Sequence, residues 1–173
     1  MRSDPLPVRP GPRRLADRPK MLAGMTTLES TTNDAAAIHT LATRYAKAWN
    51  DHDVPTIMSM HAEKSVFHLH VAPYPEATTH EAIREQFSTL FEIMPDMWFD
   101  TSRLTVRDGL FVHEWTITTT LARPFPVGDR VAQPDGRRIS FPGMDSIPCV
   151  NGLIARKDCY LDAVTLISQL TFG

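Results

Sequence analysis

Between residues 33 and 94 the apolar positions recur at three- and four-residue steps, and from residue 97 they alternate, so helices precede strands in this chain. Ile38, Leu41, Tyr45, Ala48 and Trp49 form one stripe behind a cap at Asn33 or Asp34, which predicts a helix with Tyr45 facing inward. Asp53 caps a short second helix that tolerates Pro55 in its first turn and offers Ile57, Met58 and Met60 to the core. A strand is predicted over 65–71. Thr79 then starts a third helix presenting Ile83, Phe87, Leu90, Phe91 and Met94, closed by Pro95.

Two strands, 97–106 and 110–121, are joined at Arg107-Asp108-Gly109, where the Asp-Gly pair suits a tight hairpin turn. A proline-rich excursion over 124–134 follows, and Asp135-Gly136 turns the chain into a short strand, 138–141. Strands 145–150 and 154–162 pair across Asn151-Gly152, and a short helix over 163–170 lies across the end of the sheet. This order predicts an α+β fold in which three helices from the N-terminal side pack on the concave face of a curved, cone-shaped, antiparallel or mixed sheet.

Composition narrows the picture. A chain of 173 residues, 42% hydrophobic, fits one globular domain, placed at 31–173. Residues 1–30 interleave Pro5, Pro7, Pro10, Pro12 and Pro19 with six basic residues, which predicts a disordered tail, compatible with a start at Met21 or Met25, the other reading being a basic docking arm. A net charge of -2 gives no support for nucleic-acid binding, and no apolar run is long enough to span a membrane. Without a secretory signal, Cys149 and Cys159 are expected as reduced thiols in the cytoplasm.

The residues Arg44-Tyr45, Ala48-Trp49-Asn50 and Asp53, with Glu114-Trp115-Thr116, Gly152-Leu153-Ile154, Tyr160-Leu161-Asp162 and Gln169-Leu170, give the chain a likeness to a known family. Over about 33–171 it resembles the SnoaL-like branch of the nuclear transport factor two-like superfamily. Relatives there include polyketide cyclases, ketosteroid isomerase, limonene epoxide hydrolase and scytalone dehydratase, beside members without catalysis. The resemblance implies a cone with an apolar pocket, lined by Tyr45, Trp49, Phe67, Leu69, Phe87, Trp115 and Asp145. It also implies a homodimer through the outer sheet face that carries Glu114, Thr116 and Thr118.

By the same resemblance, Tyr45 and Asp145 stand where the isomerase keeps two hydrogen-bond donors for the enolate oxygen, the second a protonated carboxylic acid. The other reading of Tyr45 is a core aromatic whose hydroxyl is bonded locally, and that of Asp145 is a solvated turn carboxylate. Leu69 stands where the isomerase has its base. Phe67 and Leu69 replace the tyrosine and asparagine that hold the hydrolase's water, and Cys159 replaces an aspartate. His113, on the face of Trp115 and Ile117, is the best available replacement base, its other reading being a satisfied sheet histidine, with His68 and His70 available only if a bulge turns them inward.

His68 and His70 share a face, but no third ligand is suggested by position, and neither metal nor cofactor is expected. Lys157 shares the face of Cys159 and could lower its pKa, although a packed thiol is the simpler role. A two-residue turn at Asn151-Gly152 would set Asp145 opposite Asp158, whereas a three-residue loop from Val150 would set it opposite Cys159; the second is the family-like arrangement. These features predict an enzyme of cyclase, isomerase or dehydratase type acting on a small hydrophobic carbonyl compound. The alternative is a non-catalytic ligand-binding or protein-interaction module of the same fold.

Overall fold

The structure is a computed structural model, described here for residues 33–71 and 73–173; the predicted tail, 1–30, lies outside them. The first helix, α1 (Ala35–Asn50), is capped by Asp34, whose Oδ1 accepts from the Ala37 N–H at 2.8 Å. Asn33 ties two turns together instead: its carbonyl accepts from the Gly109 N–H and its Oδ1 from the Gly152 N–H. Helix α2 (Val54–Ser59) is capped by Asp53 and α3 (His80–Ile93) by Thr79, both as the side-chain pattern predicts. Their buried faces, Ile57 and Met58 on α2 and Ile83, Phe87 and Leu90 on α3, close on the same core as the α1 stripe.

The main sheet contains β1 (His61–Leu69), β2 (Trp98–Arg107), β3 (Leu110–Thr120), β6 (Arg138–Val150) and β7 (Leu153–Leu161), in the order β1-β7-β6-β3-β2. Only β1 and β7 run parallel; the other pairings are antiparallel, and the five-stranded sheet is open. The fold is α+β. A second sheet of β4 (Phe125–Val127), β5 (Arg130–Gln133) and β8 (Thr171–Phe172) occupies the predicted proline-rich excursion and the chain end. Helix α4 (Ala163–Gln169) is fastened to β6 by the Gln169 amide, which bonds both the N–H and the carbonyl of Ser140. Among the described residues no helix is long and apolar enough to cross a membrane.

Two strand predictions need correction. Strand β1 begins at His61, four residues earlier than the predicted start at Ser65, and ends at Leu69. Strand β6 runs unbroken for 13 residues through Pro142-Gly143, where a break between two strands was expected. Gly143 is required by close approach: a Cβ there would lie 2.2 Å from Cη2 of Trp115, so the indole ring crosses the strand where no side chain stands.

The hairpin between β6 and β7 determines what faces the interior. Asn151 and Gly152 both take positive φ, 53° and 74°, as the preferred two-residue hairpin turn requires. Cys149 pairs with Ile154, yet Ser146 pairs with Asp158 and Asp145 with Cys159, so β7 carries one extra residue within 155–157. This bulge lies across from Pro148, which lacks the N–H needed for a regular ladder. The favoured three-residue loop from Val150 is thus corrected to a two-residue turn, while the pairing expected with it, Asp145 opposite Cys159, is reached through the bulge. Because of the extra residue, Ile154, Lys157 and Cys159 are buried while Arg156 and Asp158 point to the outer face.

Candidate functional site

The inward face of the β6–β7 hairpin brings a charged pair into the core. Lys157 is 3% exposed and Asp145 2% exposed, and Lys157 Nζ is in direct contact with Asp145 Oδ2. Asp145 Oδ2 also accepts from the Trp115 indole N–H at 3.1 Å, whereas its Oδ1 is buried with no hydrogen-bond partner. Lys157 Nζ further stands 5.1 Å from the Trp49 ring centroid and 5.8 Å from that of Tyr45, so two aromatic faces complete the cation's surroundings. The sequence placed Lys157 inward but assigned it to Cys159; its ionic partner is Asp145.

Beyond Lys157 lies a cavity of about 40 Å³. Of the predicted substrate-binding residues, Trp49, Phe67, Leu69, Lys157 and Cys159 line it. Phe87, Trp115, Tyr45 and Asp145, the other four residues of the predicted lining, are not among its walls, and neither is His113. Leu90, Met94, Met97, Phe99, Ile117, Phe125, Phe141 and Leu161 form the remaining walls. A cavity needs about 10–15 Å³ to hold a water, so this one has the volume for a few, but its apolar surface offers them no hydrogen-bond partners. Unbranched methionines are the walls most able to move aside for something larger. An outer groove of about 240 Å³ shares Phe67, Leu69 and Leu90 with the cavity and adds Tyr74 and Gln86.

Tyr45 reaches away from the cavity. Its hydroxyl is hydrogen-bonded to His61 Nε2 at 2.9 Å, and His61 Nδ1 lies 3.3 Å from Ser65 Oγ. Burial holds the Tyr45 pKa well above its ordinary value, reinforced by Asp145 and opposed by the nearby Trp49 indole, so the group is a phenol. Burial, then Lys157 and His80, push His61 down to about 3. A neutral imidazole therefore locks the tyrosine. Alternation from Leu69 and Phe67 does not reach His61, because β1 extends four residues before the predicted start and its register to β7 shifts between His61 and Val66.

His113 pairs with Asp145 across β3 and β6, is buried, and has Nε2 bonded to Thr101 Oγ1 at 2.8 Å. Burial lowers its pKa, with Asp145 acting in the opposite direction and Lys157 in the same one. Cys159 is a buried free thiol whose pKa is raised well above the ordinary value by burial and by Asp145, against Lys157. The expected activation of Cys159 by Lys157 is thus outweighed. His68 and His70 face outward, as alternation predicts, but the expected lack of a third ligand-capable group is corrected: the parallel register sets Asp158 beside them.

A sequence profile for the SnoaL-like domain matches residues 42–157. No curated protein matches the sequence. Among solved structures, AclR of Streptomyces galilaeus, a proposed hydroxylase, is 17% identical with a TM-score of 0.66, over 79% of this chain and 96% of that one. IdmH of Streptomyces antibioticus, a proposed polyketide cyclase, is 20% identical with a TM-score of 0.61, over 76% of this chain and 96% of that one. A third protein, TerC, crystallised with polyporic acid, is 13% identical with a TM-score of 0.60, over 75% of this chain and 95% of that one.

Proposed function

The chain belongs to the SnoaL-like domain family, and from that premise we propose that it is an enzyme of cyclase, isomerase or dehydratase type acting on a small hydrophobic carbonyl compound. The observation that carries this reading is a buried Lys157–Asp145 pair whose lysine stem forms part of the wall of an apolar cavity, with the ammonium directly behind that wall. Proposed cyclases and a proposed hydroxylase of the same fold support a small-molecule reaction as its setting.

Those reaction types share an enolate or enol-like stage. In this proposal the carbonyl oxygen sits against Lys157 Nζ, taking the place that the resemblance assigned to a protonated Asp145. Asp145 is then the counter-ion that orients the ammonium, and in this proposal its unpartnered Oδ1 acts as the proton acceptor once a bound substrate displaces the wall that now separates it from the cavity. As the α-C–H bond breaks, the proton passes to Oδ1 and the electron pair moves onto the carbonyl oxygen beside Nζ. A donor of this kind contributes roughly 3–4 kcal/mol to the transition state, and a positioned base about a hundredfold to ten-thousandfold in rate. Tyr45, bonded to His61, holds the aromatic wall on which the ammonium rests.

Proton NMR in D₂O on a panel of aryl-substituted β-dicarbonyl compounds tests this reading. Accelerated α-proton exchange by the wild type, lost in Lys157→Met and in Asp145→Asn, is the expected result. Binding of the panel without exchange would instead favour a ligand-binding module of the same fold. We further place the protein in the cytoplasm, in keeping with the free thiols, and as a homodimer whose contact is centred on the outer faces of β3 and β6, where Met144 is 37% exposed beside Glu114 and Thr116.

A further inference from the structure

On the opposite face of the sheet from Lys157, we propose a transition-metal site formed by His68, His70 and Asp158, which takes a divalent cation of the imidazole-preferring class such as Zn²⁺, Co²⁺ or Ni²⁺. His68 and His70 are alternate residues of the β1 edge and its continuation, so their imidazoles share one side. Parallel pairing with β7 sets His68 beside Asp158, and the bulge turns Asp158 outward. One ligand atom from each of the three residues lies within 4.8 Å of the others. Two imidazoles and one carboxylate are a donor set that suits Zn²⁺ and its neighbours, while Mg²⁺ and Ca²⁺ prefer all-oxygen sites.

The surroundings resemble the outer support of a metal site. Arg156 donates from Nε to Asp158 Oδ2 at 2.6 Å and from Nη2 to Oδ1 at 2.8 Å, and its own Nη1 is paired with Glu76 at 2.7 Å. The carboxylate is thereby held in one orientation, and Glu76 offsets the guanidinium charge. A carboxylate offers about four lone-pair sites; a cation on Oδ1 replaces the present His70 Nε2 contact, at 2.8 Å, and leaves the Arg156 bond to Oδ2 in place. His70 is buttressed by Tyr160, stacked at a centroid distance of 4.1 Å. Metal–nitrogen bonds of about 2.0–2.1 Å require the donors to close inward. His70 is exposed and His68 partly so, which leaves these side chains room to do it.

A bound cation would clamp the sheet edge, because β1 is held to the sheet through β7 alone. Nothing in this proposal depends on the reaction inside the cone. The test is calorimetric titration of Zn²⁺ into the full, chelator-stripped chain, repeated with His68→Ala, His70→Ala and Asp158→Asn, each verified as folded by circular dichroism. The expected result is one ion per chain at micromolar affinity, at least tenfold weaker in each variant, with no uptake of Mg²⁺. A Co²⁺ visible absorption band present in the wild type and lost in both histidine variants is expected alongside. Absence of Zn²⁺ binding, or affinity unchanged in the histidine variants, would overturn the proposal.

Discussion

The two faces of β7 make opposite use of the same chemistry. Outward, Arg156 and Asp158 form an ion pair in which both carboxylate oxygens accept hydrogen bonds and the guanidinium has a second carboxylate in Glu76. Inward, Lys157 and Asp145 form a pair withdrawn from water, with one carboxylate oxygen left without a partner. Desolvating two charges often offsets their attraction, so the inward pair is poor as a stabilising device. The difference is that the outward charges order a surface, whereas the inward ones add little stability, which is what the proposed role beside the cavity would require.

That contrast predicts unequal responses to mutation. The largest effect is expected from breaking the inward pair: Lys157→Met or Asp145→Ala, each leaving a buried charge alone, should destabilise by roughly 3–5 kcal/mol. The Lys157→Met/Asp145→Asn double variant should recover most of that loss, as measured by urea unfolding. If the double variant is as unstable as the singles, the inward pair is a structural necessity and the contrast fails.

The next effect is acid sensitivity of the inward face. His61 has a folded pKa of about 3 against an ordinary value of 6.5, so the unfolded chain binds the extra proton first. The sign follows: this group's contribution is intact above about pH 6.5 and is lost as pH falls towards 3, the loss reaching about 3 kcal/mol by pH 4. Unfolding as a function of pH should show this slope, reduced in His61→Gln. The smallest effect belongs outside, where Arg156→Ala should change stability by less than about 1 kcal/mol.

Much of the fold could be read from the sequence because its signals are local. The caps at Asp34, Asp53 and Thr79, the α1 stripe and the Asn151-Gly152 turn each depend on residues a few positions apart. Continuity of β6 was hidden by Pro142-Gly143, a pair that ends most strands; here Gly143 makes room for Trp115. The β4–β5–β8 sheet was hidden because its strands are short and its third member lies at the chain end. At the site, alternation placed Lys157, Cys159 and Asp145 on one face, but the identity of the ion pair depends on a bulge that one proline across the ladder makes favourable. Asp158 as a neighbour of His70 was beyond reach, since the two are 88 residues apart and meet only through the parallel edge pairing.

The central claim, that Lys157 holds developing negative charge at the cavity wall, is tested most directly by binding a series of substituted phenols and naphthols, whose anions imitate an enolate. The ligands are titrated into the wild type and into the Lys157→Met/Asp145→Asn double variant. The account predicts affinity that rises with ligand acidity in the wild type and falls by about a hundredfold, with the acidity dependence gone, in the double variant. Affinity indifferent to ligand acidity, or equal in the two proteins, would contradict it.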